Sequence, residues 1–258
     1  MIPPAPPPAR LEAARYLAAL RADAARLRAL ALRADPASPV PACPGWTVDD
    51  LLRHVADVHL RQAAAIAEGQ RVPPGDPAGA AAPEESTVAH LDRAAARILA
   101  AVDRPASTPC WTWPEPRGRL AFWQRRMAQE TLIHRVDLEQ ATGEPSDLAD
   151  DLALDGVDEV LTVFLPLSLP SDGPGLGIGP DLRASVLVGS GAVAWGVEVT
   201  GATARVAAGA PAGAAQVRGD PAALLLWLWG RGGEEGLDVQ GDRGQVAALR
   251  RALVAATQ

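Results

Sequence analysis

Apolar residues recur at helical spacing through most of the first half of the chain. Leu11, Ala14, Tyr16, Leu17, Leu20, Ala24, Leu27, Leu30 and Leu32 share one side of a predicted first helix, about Ala9 to Ala34, with arginines on the other. Pro36 to Pro44 breaks it. Thr47, with Asp50 three residues on, forms a capping-box-like start for a second helix that runs to about Glu68 and stops at Gly69. A third, roughly Glu85 to Val102, carries Val88, Leu91, Ala95, Ile98 and Leu99, and Pro105 ends it. A fourth spans about Leu120 to Thr142 and closes at Gly143. Four long amphipathic helices joined by loops predict an antiparallel bundle.

Beyond Gly143 the pattern changes. A helix at about Leu148 to Leu165 is followed by a Pro- and Gly-rich connector, Pro166 to Pro180. Alternating runs then predict strands at Leu182 to Val188, Ala194 to Thr200, Ala204 to Ala208, Ala215 to Arg218 and Leu237 to Val239. Asp220-Pro221 caps an apolar helix, Ala222 to Trp229, and a last helix covers Gln245 to Ala255. The expected architecture is α+β: a bundle over residues 9–145, then a small α+β domain over 146–258 with a mainly antiparallel sheet.

The chain has 258 residues, 48% of them hydrophobic, enough for a sizeable core. Its net charge of -7, with no basic cluster, argues against a nucleic-acid surface. All 24 basic residues are arginine, and alanine is abundant, as in a GC-rich coding sequence. Cys43 and Cys110 are too few and too far apart for a disulfide framework or a paired-cysteine metal site. The Pro-rich start, Met1 to Ala9, lacks the apolar core of a signal peptide, and no apolar run approaches a membrane span. A soluble, cytoplasmic protein is expected. Gly173 to Gly179 reads as a turn-rich connector, since it lacks the lysine and the strand-to-helix context of a phosphate loop.

The candidate chemistry lies in the fourth helix. Glu130 and His134, four residues apart, stack about 40° apart around the axis. Trp123, Met127, Leu138 and Ala141 fall on that side, while Arg125, Gln129, Arg135 and Glu139 point elsewhere. A carboxylate and an imidazole within an apolar stripe are either a hydrogen-bonded pair that fixes packing or two ligands of a metal ion. A metal needs a donor from another helix, and only four histidines exist. His54 and His59, about 140° apart on the second helix, cannot both face one ion. Periodicity leans to His59, inside the arc of Leu52, Val55 and Ile66; His54 sits at the edge beside Val58. His90, near the start of the third helix, is an outsider expected to be exposed. Trp111, Trp113 and Trp123 either line a cleft or pack, and packing is expected of Trp123. Trp227 and Trp229 are expected to bury against the C-terminal sheet. Neither cysteine has a basic neighbour in sequence, so both are expected to be plain small residues.

Two stretches resemble the mycothiol-dependent maleylpyruvate isomerase family: Cys43-Pro44-Gly45-Trp46-Thr47-Val48-Asp49-Asp50-Leu51-Leu52-Arg53-His54-Val55-Ala56, and Glu130-Thr131-Leu132-Ile133-His134-Arg135-Val136-Asp137. Leu224 to Arg231 extends the likeness toward the C-terminus. The resemblance implies a DinB-like four-helix bundle with a C-terminal α+β domain. It also implies one divalent metal, usually zinc, on His54, Glu130 and His134, with mycothiol as the thiol cofactor and a small electrophile such as maleylpyruvate as substrate. Three protein ligands leave a fourth tetrahedral position for water or a thiol, whose pKa the ion would lower. An isomerase and an S-transferase share that first step. A metal-dependent hydrolase and a non-catalytic metal-binding sensor or interaction module are the alternatives. Asp137 is a candidate acceptor orienting a ligand imidazole, and Arg135 and Arg231 are candidates for holding a substrate carboxylate. Oligomeric state and the identity of the electrophile are left open by the sequence.

Overall fold

The computed structural model describes residues 10–76, 80, 84–169 and 182–257. The N-terminal stretch before Arg10, part of the Val72 to Pro83 loop, and most of the Pro166 to Pro180 connector, including Gly173 to Gly179, lie outside the described residues. The chain divides into two compact units, Glu12–Asp147 and one built from Leu148 onward.

The first unit holds four long helices: α1 (Ala13–Ala31), α2 (Val48–Glu68), α3 (Thr87–Val102) and α4 (Leu120–Thr142). The capping box predicted at Thr47 is present. Thr47 Oγ1 accepts from the Asp50 N–H at 3.2 Å, and Asp50 Oδ2 accepts from the Thr47 N–H at 2.9 Å, satisfying two otherwise orphaned donors. At the other end of α2, Gly69 takes the left-handed conformation, with φ 69°. Gly143 does the same after α4, with φ 70°, a geometry that glycine adopts without Cβ strain. A two-stranded ribbon, β1 (Pro109–Cys110) with β2 (Gly118–Arg119), leads into α4; strands this short leave no alternation to read.

Packing pairs α2 with α3 and α1 with α4. Leu27 and Leu30 of α1, Leu51, Leu52 and Val55 of α2, Leu91 of α3 and Leu138 of α4 form one buried cluster. Each large apolar side chain there contributes about 1.5–3 kcal/mol. Helix α4 is buried almost all round. Arg125, Gln129, Arg135 and Glu139, which do lie off the apolar stripe, are buried rather than solvated. The charges of Arg135 and Glu139 are met in place: Arg135 Nε lies 2.9 Å from Asp23 Oδ1 and its Nη1 3.2 Å from Glu139 Oε1. Glu139 also accepts from Arg26 Nε at 3.0 Å and Ser146 Oγ at 2.6 Å, so partners from α1 and the following loop offset the cost of burial.

The second unit opens with α5 (Asp150–Glu159), one π-helical turn (Val160–Phe164) and α6 (Leu165–Ser168). The helix therefore continues past Leu165, where the sequence predicted its end. Pro166 lacks an N–H and its ring would crowd the carbonyl four residues back; the widened π turn just before it accommodates both. Strands β3 (Arg183–Ser190), β4 (Val193–Thr200), β5 (Thr203–Ala208), β6 (Ala215–Gly219) and β7 (Leu237–Gln240) form one sheet in the order β5-β4-β3-β6-β7. Only β3 and β6 pair in parallel. Val186, Leu187 and Val188 of β3 and Ala194, Trp195 and Val197 of β4 are all buried, so side chains on both faces of these central strands are covered. Trp195 Nε1 donates to Asp158 Oδ1 at 2.9 Å, tying the sheet to α5.

Helix α7 (Pro221–Trp229) packs chiefly on α5, and α8 (Arg243–Thr257) on β3. Trp227 and Trp229 are buried as expected, but mainly among helices rather than on the sheet; the Trp229 ring lies 5.1 Å from that of Phe164. Among the described residues, no helix is long and apolar enough to cross a membrane.

Candidate metal centre

Helices α2 and α4 bring together three side chains from positions 54, 130 and 134. Glu130 Oε1 lies 3.6 Å from His54 Nε2 and 3.3 Å from His134 Nε2. The donor atoms offered by the three residues are all within 4.8 Å of one another. Metal bonds of about 2.0–2.2 Å at tetrahedral angles would separate neighbouring donors by about 3.3–3.6 Å. The Glu130 edges of the triangle match that spacing, and the remaining edge, between His54 and His134, lies within 4.8 Å and would have to close to the same spacing for all three to bind one divalent ion.

The surroundings fix how each donor is presented. His134 Nδ1 lies 2.9 Å from Asp137 Oδ2, which is fully buried. With the Nδ1–H donated to Asp137, Nε2 is the His134 nitrogen turned toward Glu130 and His54, the one that a metal ion would take once its proton is displaced. Cys43 Sγ sits 3.6 Å from the same Asp137 oxygen, so this cysteine has an acidic contact that sequence did not indicate. The Trp46 ring lies 4.8 Å from that of His54, which stands 5.0 Å from His134. Residues Cys43 and Trp46 are brought there by the turn before α2, where Val40 N–H bonds the Trp46 carbonyl at 2.9 Å.

Arg126 escaped the sequence reading. One turn before Glu130 on α4, fully buried, it donates from Nη2 to Glu130 Oε2 at 3.0 Å. The i,i+4 Arg–Glu spacing was visible in the sequence; the burial that gives it force was not.

Burial is the largest single influence on Glu130 and acts to raise its pKa. Hydrogen bonds from His134 and His54 and the charges of His134 and Arg126 outweigh it and hold the carboxyl well below the usual range. For His134, burial acts to lower the pKa, but the hydrogen bonds and charges of Asp137 and Glu130 win and raise it to about 9. In the metal-free protein the site thus carries a bound proton on His134, which a metal ion must displace.

His59 does not join the cluster. It is fully buried, and its Nε2 lies 2.9 Å from Thr131 Oγ1. The Thr131 hydroxyl donates to the Met127 carbonyl at 2.7 Å, so its oxygen accepts the His59 Nε2 proton. Burial, against the charge of Glu130, lowers the His59 pKa to about 4, and the ring is a neutral packing element. His90, expected to be exposed, is 1% exposed, with Nε2 3.4 Å from Asp57 Oδ1. It shares a stripe with Ala94 and Ile98, both buried, at four-residue intervals.

Each of the two candidate arginines has partners within its own unit. Arg135 is engaged by Asp23, Glu139 and Ser146. Arg231, in the second unit, is buried, donates to the Trp229 carbonyl at 2.6 Å and lies over the Trp229 ring. Trp123 is fully buried and donates from Nε1 to the Trp111 carbonyl at 2.6 Å. Trp111 and Trp113 stack around it at ring distances of 5.9 and 5.5 Å, and Trp113 remains 38% exposed.

No curated protein matches the chain by sequence. Two solved structures share its fold: the mycothiol-dependent maleylpyruvate isomerase and a variant of it in which one histidine is alanine. The former is 17% identical with a TM-score of 0.61, the latter 16% identical with 0.62; each comparison covers 90% of this chain and 95% of the other. Residues 8–139 match the mycothiol maleylpyruvate isomerase N-terminal domain, and residues 151–248 match the MDMPI C-terminal domain. With both domains matched in order over most of its length, the chain belongs to the mycothiol maleylpyruvate isomerase family.

Proposed function

We propose that the protein is a divalent-metal-dependent enzyme that uses mycothiol to isomerise a small electrophilic substrate such as maleylpyruvate, with zinc on His54, Glu130 and His134. The observation that carries this reading is the convergence of those three donors, with the imidazole of His134 locked by Asp137. Family membership and the likeness to two forms of the mycothiol-dependent maleylpyruvate isomerase support the choice of thiol and substrate class. When bound, the ion supplies Lewis acidity, lowering the pKa of a thiol in its open position.

The chain's own residues set up that chemistry. Asp137 accepts a hydrogen bond from His134 Nδ1–H and keeps Nε2 turned toward the donor cluster, where the metal would replace its proton. Glu130 contributes Oε1, while Arg126 neutralises Oε2 inside the protein. The Trp46 ring packs beside His54 and restrains its orientation. A thiolate delivered here adds to the activated double bond: a carbon–sulfur bond forms as the π pair moves into the adjoining carbonyl system. Rotation about the resulting single bond follows, and return of the pair expels the thiolate and restores the double bond in the other geometry. An S-transferase would stop after the first step.

The test is elemental analysis of the purified protein followed by an ultraviolet assay with mycothiol and maleylpyruvate. A stoichiometric divalent metal and mycothiol-dependent isomerisation, both lost in His134→Ala, are expected. Metal bound at full stoichiometry with no response to any thiol would refute the reading.

A further inference from the structure

We propose that the cleft between α8 and the turn that follows α7 is a binding site for a small organic carboxylate, with Arg250 as its anchor. The cleft has a volume of about 370 Å³, and every residue that lines it belongs to the second unit. The proposal therefore owes nothing to the metal reading, whose three donors all lie in the first unit.

Arg250 is the residue that calls for an anion. Half-buried on α8, it has no ion pair among the described residues, and its Nη1 is buried with no hydrogen-bond partner. Its Nη2 reaches the Gly232 carbonyl only at 3.4 Å, longer than an ordinary bond of this kind. The guanidinium also faces the Trp227 ring, whose centroid lies 5.5 Å from Cζ. The negative face of an indole replaces only part of the hydration that a cation loses on burial. Burial first, and then the charge of Arg231, push the Arg250 pKa below the usual arginine value. A partly desolvated cation without a counter-charge attracts an anion into the space beside it, and the long bond to Gly232 lets the guanidinium turn toward one at little cost.

The remaining lining residues select the class of anion. Arg251, exposed at the rim, also has no ion pair among the described residues, whereas the carboxylate of Glu234 is held by Arg243 Nη1 at 2.8 Å. The charge left over in the cleft is positive. Trp227, Val246 and Ala247 supply carbon walls, against which a bare phosphate would leave acceptors unmet. A carboxylate carried on an apolar body satisfies both features: its two coplanar oxygens match the guanidinium fork, and its body covers the walls. Gly232 has no side chain to hold a ligand off the main chain, and its N–H makes no hydrogen bond among the described residues, so it can donate to the same carboxylate.

The experiment follows 4-fluorobenzoate by ¹⁹F NMR with the full chain. Wild type should bind it saturably, and Arg250→Met should weaken binding at least about tenfold, as expected for loss of a charge-assisted hydrogen bond. The neutral isostere 4-fluorobenzamide should bind wild type at least about tenfold more weakly for the same reason. Inorganic phosphate in tenfold excess should not displace the probe. Should Arg250→Met not fold, Ala247→Trp decides the matter: position 247 is exposed on α8 and lines the cleft, so the larger side chain should fill the cleft and abolish binding with every charge still in place. His134→Ala should bind the probe as wild type does, which separates this site from the proposed metal centre. No binding to wild type, equal binding of the amide, displacement by phosphate, unchanged affinity in Arg250→Met or Ala247→Trp, or loss of binding in His134→Ala would each overturn the proposal.

Discussion

Replacing Asp137 by Asn should weaken metal binding strongly at alkaline pH and hardly at all below neutrality. The reason is that a proton and a metal ion compete for His134 Nε2, and Asp137 supports both competitors through the same Nδ1–H contact at 2.9 Å. With a His134 pKa of about 9 in the metal-free protein, proton competition should weaken binding about 300-fold at pH 6.5 and little above pH 9. A hydrogen bond to a charged group is worth about 1.5–3 kcal/mol, so its loss should ease that competition about 10- to 100-fold. Loss of an outer partner of a metal-bound histidine costs about 10- to 100-fold in affinity. At pH 9.5 only that loss remains, whereas at pH 6.5 the two effects largely cancel. Competition with a chromophoric chelator, using zinc buffered at each pH, measures both affinities. An equal loss at the two pH values would show that Asp137 does not set the basicity of His134, and the account of the centre would fail there.

His134→Ala should lower metal affinity more than about 100-fold, exceeding an outer-partner change, while circular dichroism shows the helices intact; full metal retention would contradict the ligand assignment. Thr47→Ala removes the capping box of α2 and should cost about 1 kcal/mol in urea unfolding. Asp23 has its pKa raised from 3.8 to about 6, by burial first and by the charge of Glu139, against the charges of Arg135 and Arg15. Between those values the folded state holds the proton and the unfolded state does not, so Asp23 makes stability fall as pH rises from about 4 to 6. Asp23→Asn should remove that fall, gaining about 3 kcal/mol relative to wild type across the interval; parallel stability curves would refute it.

Much of the fold was legible because the local signals were strong. Thr47 and Asp50 mark the start of α2, Gly69 and Gly143 the ends of α2 and α4, and the short apolar runs bounded by glycine turns at Leu182 to Val188 and Ala194 to Thr200 the central strands. Pro166 misled, because a proline reads as a helix end while a π turn can absorb it. The parallel pairing of β3 with β6 depends on contacts between distant segments and leaves no local mark. Glu130 and His134 could be paired from their spacing, but periodicity could not choose between His54 and His59. It rewards the residue deepest in the core, and there His59 meets Thr131; His54, at the helix edge, is the one that reaches Glu130. The family likeness supplied that choice. The burial of Arg135 and Glu139 was hidden because the partners that let these charges enter the core, Asp23 and Arg26, come from α1, and that of Arg126 because helix periodicity does not show that α4 is covered on nearly every side.

Anomalous diffraction at the zinc edge from crystals of the zinc-loaded protein tests the central claim most directly. One anomalous peak is expected, within about 2.0–2.2 Å of His54 Nε2, Glu130 Oε1 and His134 Nε2, with Glu130 Oε2 still on Arg126. Zinc bound at other side chains, or no ordered peak among these three at full loading, would contradict it.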